Sequence, residues 1–154
     1  MIADANLALS GSILGNATTG QAVTGTNVTV LSTNTIDLLA NRDIAEGQGL
    51  FARMQVLAAF VGATSVEMQV ITSAAAALTT PNVIGTTGAI PLASLVAGSR
   101  FAAALTPKLA SVGQRYLGVQ YVIIGAGTAG TVYTDIGLEI QDGQKMYPSG
   151  YAVL

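Results

Sequence analysis

The chain has 154 residues and a net charge of −2, and only 9% of its residues are charged, whereas an ordinary soluble domain has roughly 25%. These values exclude the basic surface that nucleic-acid binding requires. Because the chain has no Cys and no His, disulfides, thiolate metal sites and the commonest general base are also excluded. We expect a single domain over residues 1–154, with much of its weakly charged surface covered by a partner.

The hydropathy pattern does not indicate a membrane protein. Mean hydropathy is high, at +0.57, but a membrane-spanning helix needs about 20 consecutive apolar residues. The apolar runs are shorter, such as Val56–Ala63 and Ala74–Leu78. A secretory signal is not expected either, because the N-terminus has no basic residues and carries Asp4 in their place.

The first third of the chain is predicted to contain short strands and loops. Thr, Gly, Val and Ile are abundant, and turn-forming residues recur about every ten positions, which is typical of a β-sandwich or barrel. Residues 1–26 show little periodicity and are predicted to form an arm-like leading segment with one short strand. Short strands are expected at Asn27–Leu31 and Asn34–Leu39, followed by a polar loop over Asn41–Gly49.

The middle of the chain predicts a hairpin and then a loop. In Ser65–Thr72 apolar and polar side chains alternate, which is the period of a half-buried strand. Leu50–Thr72 is therefore predicted to be a hairpin that turns at Gly62–Ala63. The Ala-rich stretch Ala74–Leu78 is too short for a stable helix and is expected to be a loop or strand edge, and Thr79–Gly98 is expected to be mostly loop.

The last third predicts three strands and a tail. Arg100–Leu105 and Gln114–Ile124 have strand character, and Thr131–Gln141 alternates most clearly, with Tyr133, Asp135 and Glu139 expected on the outer face. Gly125–Gly130 is predicted to be the loop of a hairpin between the last two strands. Gln144–Leu154 is expected to be an extended tail. Within Gln114–Ile124 the residues that share one face are Leu117, Val119, Tyr121 and Ile123, and within Thr131–Gln141 those predicted to point inward are Val132, Thr134, Ile136, Leu138 and Ile140.

A glycine motif in Tyr121–Gly130 could indicate a dinucleotide site. Gly125, Gly127 and Gly130 follow an apolar run in the spacing G-x-G-x-x-G, but that fingerprint requires a helix directly after the glycines. Thr131–Gln141 has the period of a strand instead. We therefore interpret the glycines as a hairpin loop, although an oxidoreductase built around them remains an alternative.

The other candidate sites are weak. Asp135 and Glu139 lie about 13 Å apart at the rise of a strand, too far for a glycosidase pair, so both are expected to face solvent. Asp43 and Glu46 could ligate Ca²⁺, but their spacing is not that of an EF-hand. No catalytic, cofactor-binding or metal-binding residue is therefore predicted, and we expect the protein not to be an enzyme. Lys108 and Lys145 are the lysines that could form a Ser–Lys dyad, and Asn16 and Asn27 begin glycosylation sequons. Tyrosine is favoured at protein interfaces, and the tyrosines are Tyr116, Tyr121, Tyr133, Tyr147 and Tyr151.

Several segments together resemble the capsid cement proteins of tailed phages, the family typified by the cement protein of a Bordetella phage. Their order and spacing carry the resemblance, and the Ala-rich stretch Ser73–Leu78 departs from the family pattern. The matching segments are Met1–Asp4 with Leu7 and Ser10, Asn34–Leu38, Arg42–Ile44 with Glu46, Gly47 and Leu50, Gly98–Phe101, Arg115–Leu117, Gly125–Gly130 and Tyr147–Tyr151.

The resemblance implies a jellyroll-like β-sandwich of about eight short antiparallel strands. It also implies a virion protein, made in the host cytoplasm, that sits on the outer surface of an HK97-type capsid as a homodimer or small homo-oligomer and bridges major capsid subunits. Met1–Gly25, Asn41–Gly49 and Tyr147–Leu154 are the segments predicted to touch the capsid. The alternative is a β-sandwich adhesion or carbohydrate-binding module, which the scarcity of aromatic residues, at 5%, disfavours.

Overall fold

The computed structural model describes residues 4–14, 18–41, 49–105 and 114–138, and they form an all-β structure. No helix in this part of the chain is long and apolar enough to cross a membrane. The strands are β1 (Ala8–Ser10), β2 (Gln21–Ala22), β3 (Gly25–Thr26), β4 (Thr29–Leu31), β5 (Ile36–Asp37), β6 (Phe51–Ser73), β7 (Asn82–Pro91), β8 (Arg100–Ala104) and β9 (Tyr116–Gly137). The 3-10 turns are Ala5–Leu7 and Leu92–Ser94.

Two long strands organise the sheet. β6 has 23 residues and β9 has 22, and they pair antiparallel from Phe51 opposite Gly137 to Ser73 opposite Tyr116. The short strands β1 to β5 pair with the other edge of β9. β7 and β8 pair with the other edge of β6, and every pairing is antiparallel.

Both long strands bend at the same level. The β6–β9 register shifts four times between Val56 and Ser65, and such bulges bend and twist a strand without ending its pairing. Gly62 has φ +82° and Gly125 has φ +91°, a region that other residues adopt only with strain. A Cβ at Gly62 would collide with the carbonyl oxygen of Ala126, so the two bent strands can lie this close only because glycine is present.

The bend folds the sheet into two layers that enclose the core. One layer contains β8, the first half of β6, the second half of β9, β1 and β2. The other contains β7, the second half of β6, the first half of β9, β4 and β5. Met54 and Val132 from the first layer pack in one cluster with Met68 and Val119 from the second. The predicted all-β sandwich is confirmed, but in place of about eight short strands the described residues form nine, and β6 and β9 are long strands that run through both layers.

Polar side chains fasten the two layers together. The buried Tyr121 hydroxyl bonds Ser10 Oγ at 2.8 Å and Thr134 Oγ1 at 2.7 Å, and burial raises the pKa of Tyr121 to about 12. Gln21 Nε2 donates to the carbonyl oxygen of Leu31 at 2.6 Å. Because β1 and β2 belong to one layer and β4 to the other, these bonds join the layers at one side of the sandwich.

Three predictions of local structure are wrong. Leu50–Thr72 is not a hairpin, because β6 runs through the proposed turn, and Gly125–Gly130 lies inside β9. The glycines form bulges at the same level of both strands, so the pairing continues. Thr79–Gly98 contains the ten-residue strand β7, where Gly85 lets the backbone approach the carbonyl oxygen of Ala104.

The leading segment and the Ala-rich stretch are parts of the fold. Residues 1–26 contribute three strands to the edge of β9, whereas one was expected. Leu9 and Val23 are completely buried, and their burial in the core holds this segment against β9. The predicted loop after β6 is confirmed, with Ser73 Oγ donating to the carbonyl oxygen of Thr79 at 2.6 Å. Leu78 is buried, and its side chain packs where a Cβ on Gly118 would otherwise lie.

The bend predicts a difference between two glycine substitutions. Gly62→Ala should lower the free energy of unfolding by about 3 kcal/mol or more, because left-handed strain adds to a backbone collision. Gly88 has φ +69° with no atom within 4 Å of an added Cβ, so Gly88→Ala should cost about 1 kcal/mol. Urea unfolding of both variants measures the difference, and equal losses would contradict the close packing of the bend.

Candidate contact surface

Among the described residues, those at the bent end of the sandwich form a surface without charged side chains, which we call the bend surface. It is formed where the middle of β6, the middle of β9, the residues around β3 and the residues after Leu92–Ser94 meet. Its exposed members are Thr26, Asn27, Val28, Ala58, Ala59, Val61, Thr64, Val96, Ile124, Ala126, Thr128 and Ala129.

Four large apolar side chains on this surface remain open to solvent. Val28, Val61, Val96 and Ile124 are between 40% and 54% exposed. Each could therefore bury substantial further area against a partner, and burial of apolar area contributes roughly 25 cal/mol per Å². The other residues of the surface are Ala, Thr and Asn, so a partner can cover it without removing water from a charged side chain.

Hydrogen bonds hold the bend surface in one shape. The backbone N–H of Asn27 donates to the carbonyl oxygen of Gly125 at 3.0 Å, and the N–H of Gly125 donates to Asn27 Oδ1 at 2.9 Å. Thr128 Oγ1 donates to the carbonyl oxygen of Val61 at 3.3 Å, and the Phe60 N–H donates to the carbonyl oxygen of Leu95 at 3.0 Å. A surface that is already ordered loses little conformational entropy on binding.

Sequence reasoning missed the bend surface, although a signal for it exists. No charged residue occurs in the four stretches 5–36, 54–66, 68–99 and 116–134. Each stretch passes through or beside the bend, but only the pairing of β6 with β9 brings the stretches together. The four stretches without charged residues therefore locate the bend surface only when the pairing of β6 with β9 is known.

Of the segments predicted to touch the capsid, the structure describes most of Met1–Gly25 and little or nothing of the other two. Within Met1–Gly25, Leu9, Ser10 and Gln21 are buried in the sandwich, so this part of the leading segment stabilises the fold. The residues considered for sites that lie outside the described part of the chain are Asn16, Asp43, Glu46, Lys108, Glu139, Lys145, Tyr147 and Tyr151, together with most of Asn41–Gly49 and all of Tyr147–Leu154.

The glycine motif does not have the structure of a dinucleotide fingerprint. Gly125, Gly127 and Gly130 all lie within β9, which continues as a strand to Gly137. The motif needs a helix whose N-terminus faces the pyrophosphate. The glycines instead form the bend, where Gly130 leaves room for the ring of Phe60.

The prediction that Asp135 faces solvent is wrong. Asp135 does lie on the outer face of β9, but its side chain is 1% exposed because Arg53 covers it. Arg53 Nε and Nη2 donate to the two carboxylate oxygens at 2.8 and 2.7 Å, and the guanidinium occupies the space left by Gly137. Tyr133 is also buried rather than exposed, and burial, with the charge of Asp135, raises the pKa of its hydroxyl to about 12.

A second ion pair has the same geometry but lies in solvent. Arg115 Nε and Nη2 donate to the carboxylate oxygens of Asp37 at 2.7 and 2.6 Å, and its guanidinium lies 5.1 Å from the ring centroid of Tyr116. These side chains are 45% and 37% exposed. The hydrogen bonds from Arg115 hold the pKa of Asp37 at about 2.

The fold and this surface define an all-β sandwich domain whose bent end, in the described residues, carries no charge. Two of the three tyrosines that the structure describes, Tyr121 and Tyr133, are buried. A family model described as Bbp16 matches residues 17–136, more than three quarters of the chain. The chain therefore belongs to the Bbp16 family, a Bordetella phage capsid cement protein family. No curated protein matches it significantly.

Family membership confirms the resemblance seen in the sequence. It identifies a phage capsid cement or decoration protein that belongs to the virion and associates with capsid protein. Because residues 17–136 contain the whole bend of both long strands, the matched region includes the bend surface.

The two ion pairs predict different effects of the same substitution. Asp135→Asn should lower the free energy of unfolding by about 3 kcal/mol, because the buried Asp135 carboxylate would no longer accept the two charge-assisted hydrogen bonds from Arg53. Asp37→Asn should have a much smaller effect, because water solvates Arg115. Thermal unfolding at pH 7 compares the two variants, and similar losses would show that Asp135 is accessible to water.

The exposed pair also predicts a pH dependence. The pKa of Asp37 is about 2 in the folded chain, against its ordinary 3.8. Its contribution to stability is therefore complete above about pH 4 and is lost as the pH falls towards 2. Asp37→Asn should remove this component, which titration of the unfolding midpoint from pH 5 to 2 would detect.

Proposed function

We propose that this protein is a structural, non-catalytic cement protein that binds the outer surface of an HK97-type capsid through the bend surface. Bound copies bridge neighbouring major capsid subunits, and the protein acts as a dimer or other small homo-oligomer. The observation that supports this proposal is the rigid, charge-free bend surface in a member of a capsid cement family.

The chemistry of the bend surface suits a protein contact. The cores of protein interfaces are depleted in charged residues, because burying a charge without a partner is costly. The apolar side chains Val61 and Ile124 supply area to bury, and the threonine hydroxyls can exchange water for hydrogen bonds with the capsid. A modest affinity at each site is sufficient, since linked sites on a symmetric shell act together.

The mechanism of stabilisation is mass action. A ligand that binds the closed shell but not the opened shell raises the free energy of opening with the occupancy of its sites. The two-layer sandwich suits this role because Tyr121, Ser10 and Thr134 tie its layers together. The bound domain can then resist the separation of the subunits that it touches.

Co-sedimentation with undecorated phage heads tests the proposal directly. We expect saturable binding at a fixed ratio to capsid subunits and a rise in the temperature at which the heads rupture. Sedimentation velocity of the free protein should show a dimer or small oligomer. Heads that neither bind the protein nor gain heat resistance would show that the proposed function is wrong.

A pair of matched substitutions tests whether the bend surface makes the contact. Val61→Lys places a charge at the centre of the bend surface, and we expect it to weaken binding to heads at least about tenfold. Val83→Lys is the control, because Val83 is 50% exposed, close to the 54% of Val61, and pairs with Ile71 far from the bend. Both variants should keep the wild-type unfolding midpoint, and equal binding by both would exclude the bend surface.

A further inference from the structure

Leu39 combines two unfavourable features that the fold does not explain. Its φ is +65°, a left-handed conformation that is strained for leucine, and its side chain is 72% exposed. In the described part of the chain three other residues that are not glycine have positive φ: Asn27, Leu78 and Thr80. Asparagine tolerates this conformation, and Leu78 gains core packing from it. Thr80 is exposed like Leu39, but its small polar side chain donates a local hydrogen bond to the carbonyl oxygen of Thr79 at 2.8 Å, whereas Leu39 exposes a large apolar side chain.

The turn that presents Leu39 is braced from two sides. Asp37 Oδ1 accepts a hydrogen bond from the backbone N–H of Leu39 at 2.7 Å, and Arg115 holds the same carboxylate through both of its oxygens. Asp37 also pairs with Tyr116 at the start of β9. The strained conformation is therefore fixed before any partner arrives, and strain maintained in this way is typical of functional sites.

We propose that Leu39 is a second capsid anchor, an apolar side chain presented for insertion into an apolar pocket of the major capsid protein. This inference rests on the proposed function and deepens it. An exposed leucine in a fixed position can contribute strongly to a contact, because its apolar area is buried without further loss of backbone entropy.

The position of Leu39 explains how one protomer could bridge two capsid subunits. Asp37 pairs with Tyr116, whereas the bend begins at Gly125, nine residues further along β9. At the rise of a β-strand this is about 30 Å. The bend surface and Leu39 thus lie towards opposite ends of the sandwich, and a single chain offers two separate contacts.

Two substitutions by asparagine distinguish the loss of the Leu39 side chain from the relief of left-handed backbone strain. Leu39→Asn should relieve the left-handed strain and raise the melting temperature by about 2–4 °C, while it weakens binding to heads at least about tenfold. Thr80→Asn is the control, because Thr80 is also exposed and has φ +48°. It should raise the melting temperature similarly and leave binding unchanged.

Two further variants test the anchor and its brace. Leu39→Met keeps an apolar side chain of similar volume and should retain binding. Asp37→Ala removes the acceptor for the Leu39 N–H and the partner of Arg115, so the leucine is no longer held in place. We expect it to weaken binding although Leu39 itself is unchanged.

The outcomes distinguish this inference from the proposed function. If the wild-type protein does not bind heads, the proposed function fails and the anchor fails with it. If the wild type binds and Leu39→Asn binds equally well, only the anchor is overturned. If Leu39→Asn lowers the sedimentation coefficient of the free protein and leaves head binding intact, Leu39 contacts a second copy of the chain, and the capsid anchor is again overturned.

Discussion

The close pairing of β6 and β9 through a shared bend is the constraint on which the rest of the structure depends. Two strands of more than twenty residues would otherwise form a twisted two-stranded ribbon that could not enclose a core. Because both strands bulge at the same level, each can turn back without losing its partner. The two halves of the sheet then face each other, and Met54 packs in the same cluster as Met68. Glycine is needed at Gly62, since any larger residue would meet the backbone of β9.

The same constraint produces the bend surface. Phe60 and Ala63 at the bend point into the core, and the crowded backbone favours Gly, Ala and Thr at the positions between them and around them. The outer side of the bend therefore carries small uncharged groups and a few apolar side chains. Away from the bend, Tyr121 and Gln21 fasten the layers with buried hydrogen bonds. The shared bend at one end and these hydrogen bonds between the layers both restrain one layer relative to the other.

The sequence indicates which side chains of a strand share a face of the sheet, but it does not indicate where the chain turns. The two-residue period correctly placed Val132, Thr134 and Ile136 on the inner face, but Leu138, which was expected there as well, is 55% exposed near the end of the described strand. With composition, the same period indicated an all-β sandwich. Glycines in a strand pattern indicate either a turn or a bulge, and the choice depends on whether the partner strand bulges opposite them, as Gly62 and Gly125 do. The burial of Asp135 could not be predicted from the sequence for a related reason. Its partner Arg53 lies 82 residues earlier in the chain, so no local pattern connects the two residues. The bend surface could not be located because its four charge-free stretches meet only in the folded chain.

The carboxylates in the described part of the chain serve its own fold. All four carboxylates in the described part of the chain accept hydrogen bonds from it, namely Asp4, Asp37, Glu67 and Asp135. A carboxylate already held within the chain has less to offer an ionic contact, so recognition of a partner must rest mainly on shape and apolar area. Electrostatic contacts weaken as salt increases, whereas apolar contacts do not depend on charge pairing. A capsid contact made through the bend surface, as proposed, would therefore depend little on ionic strength.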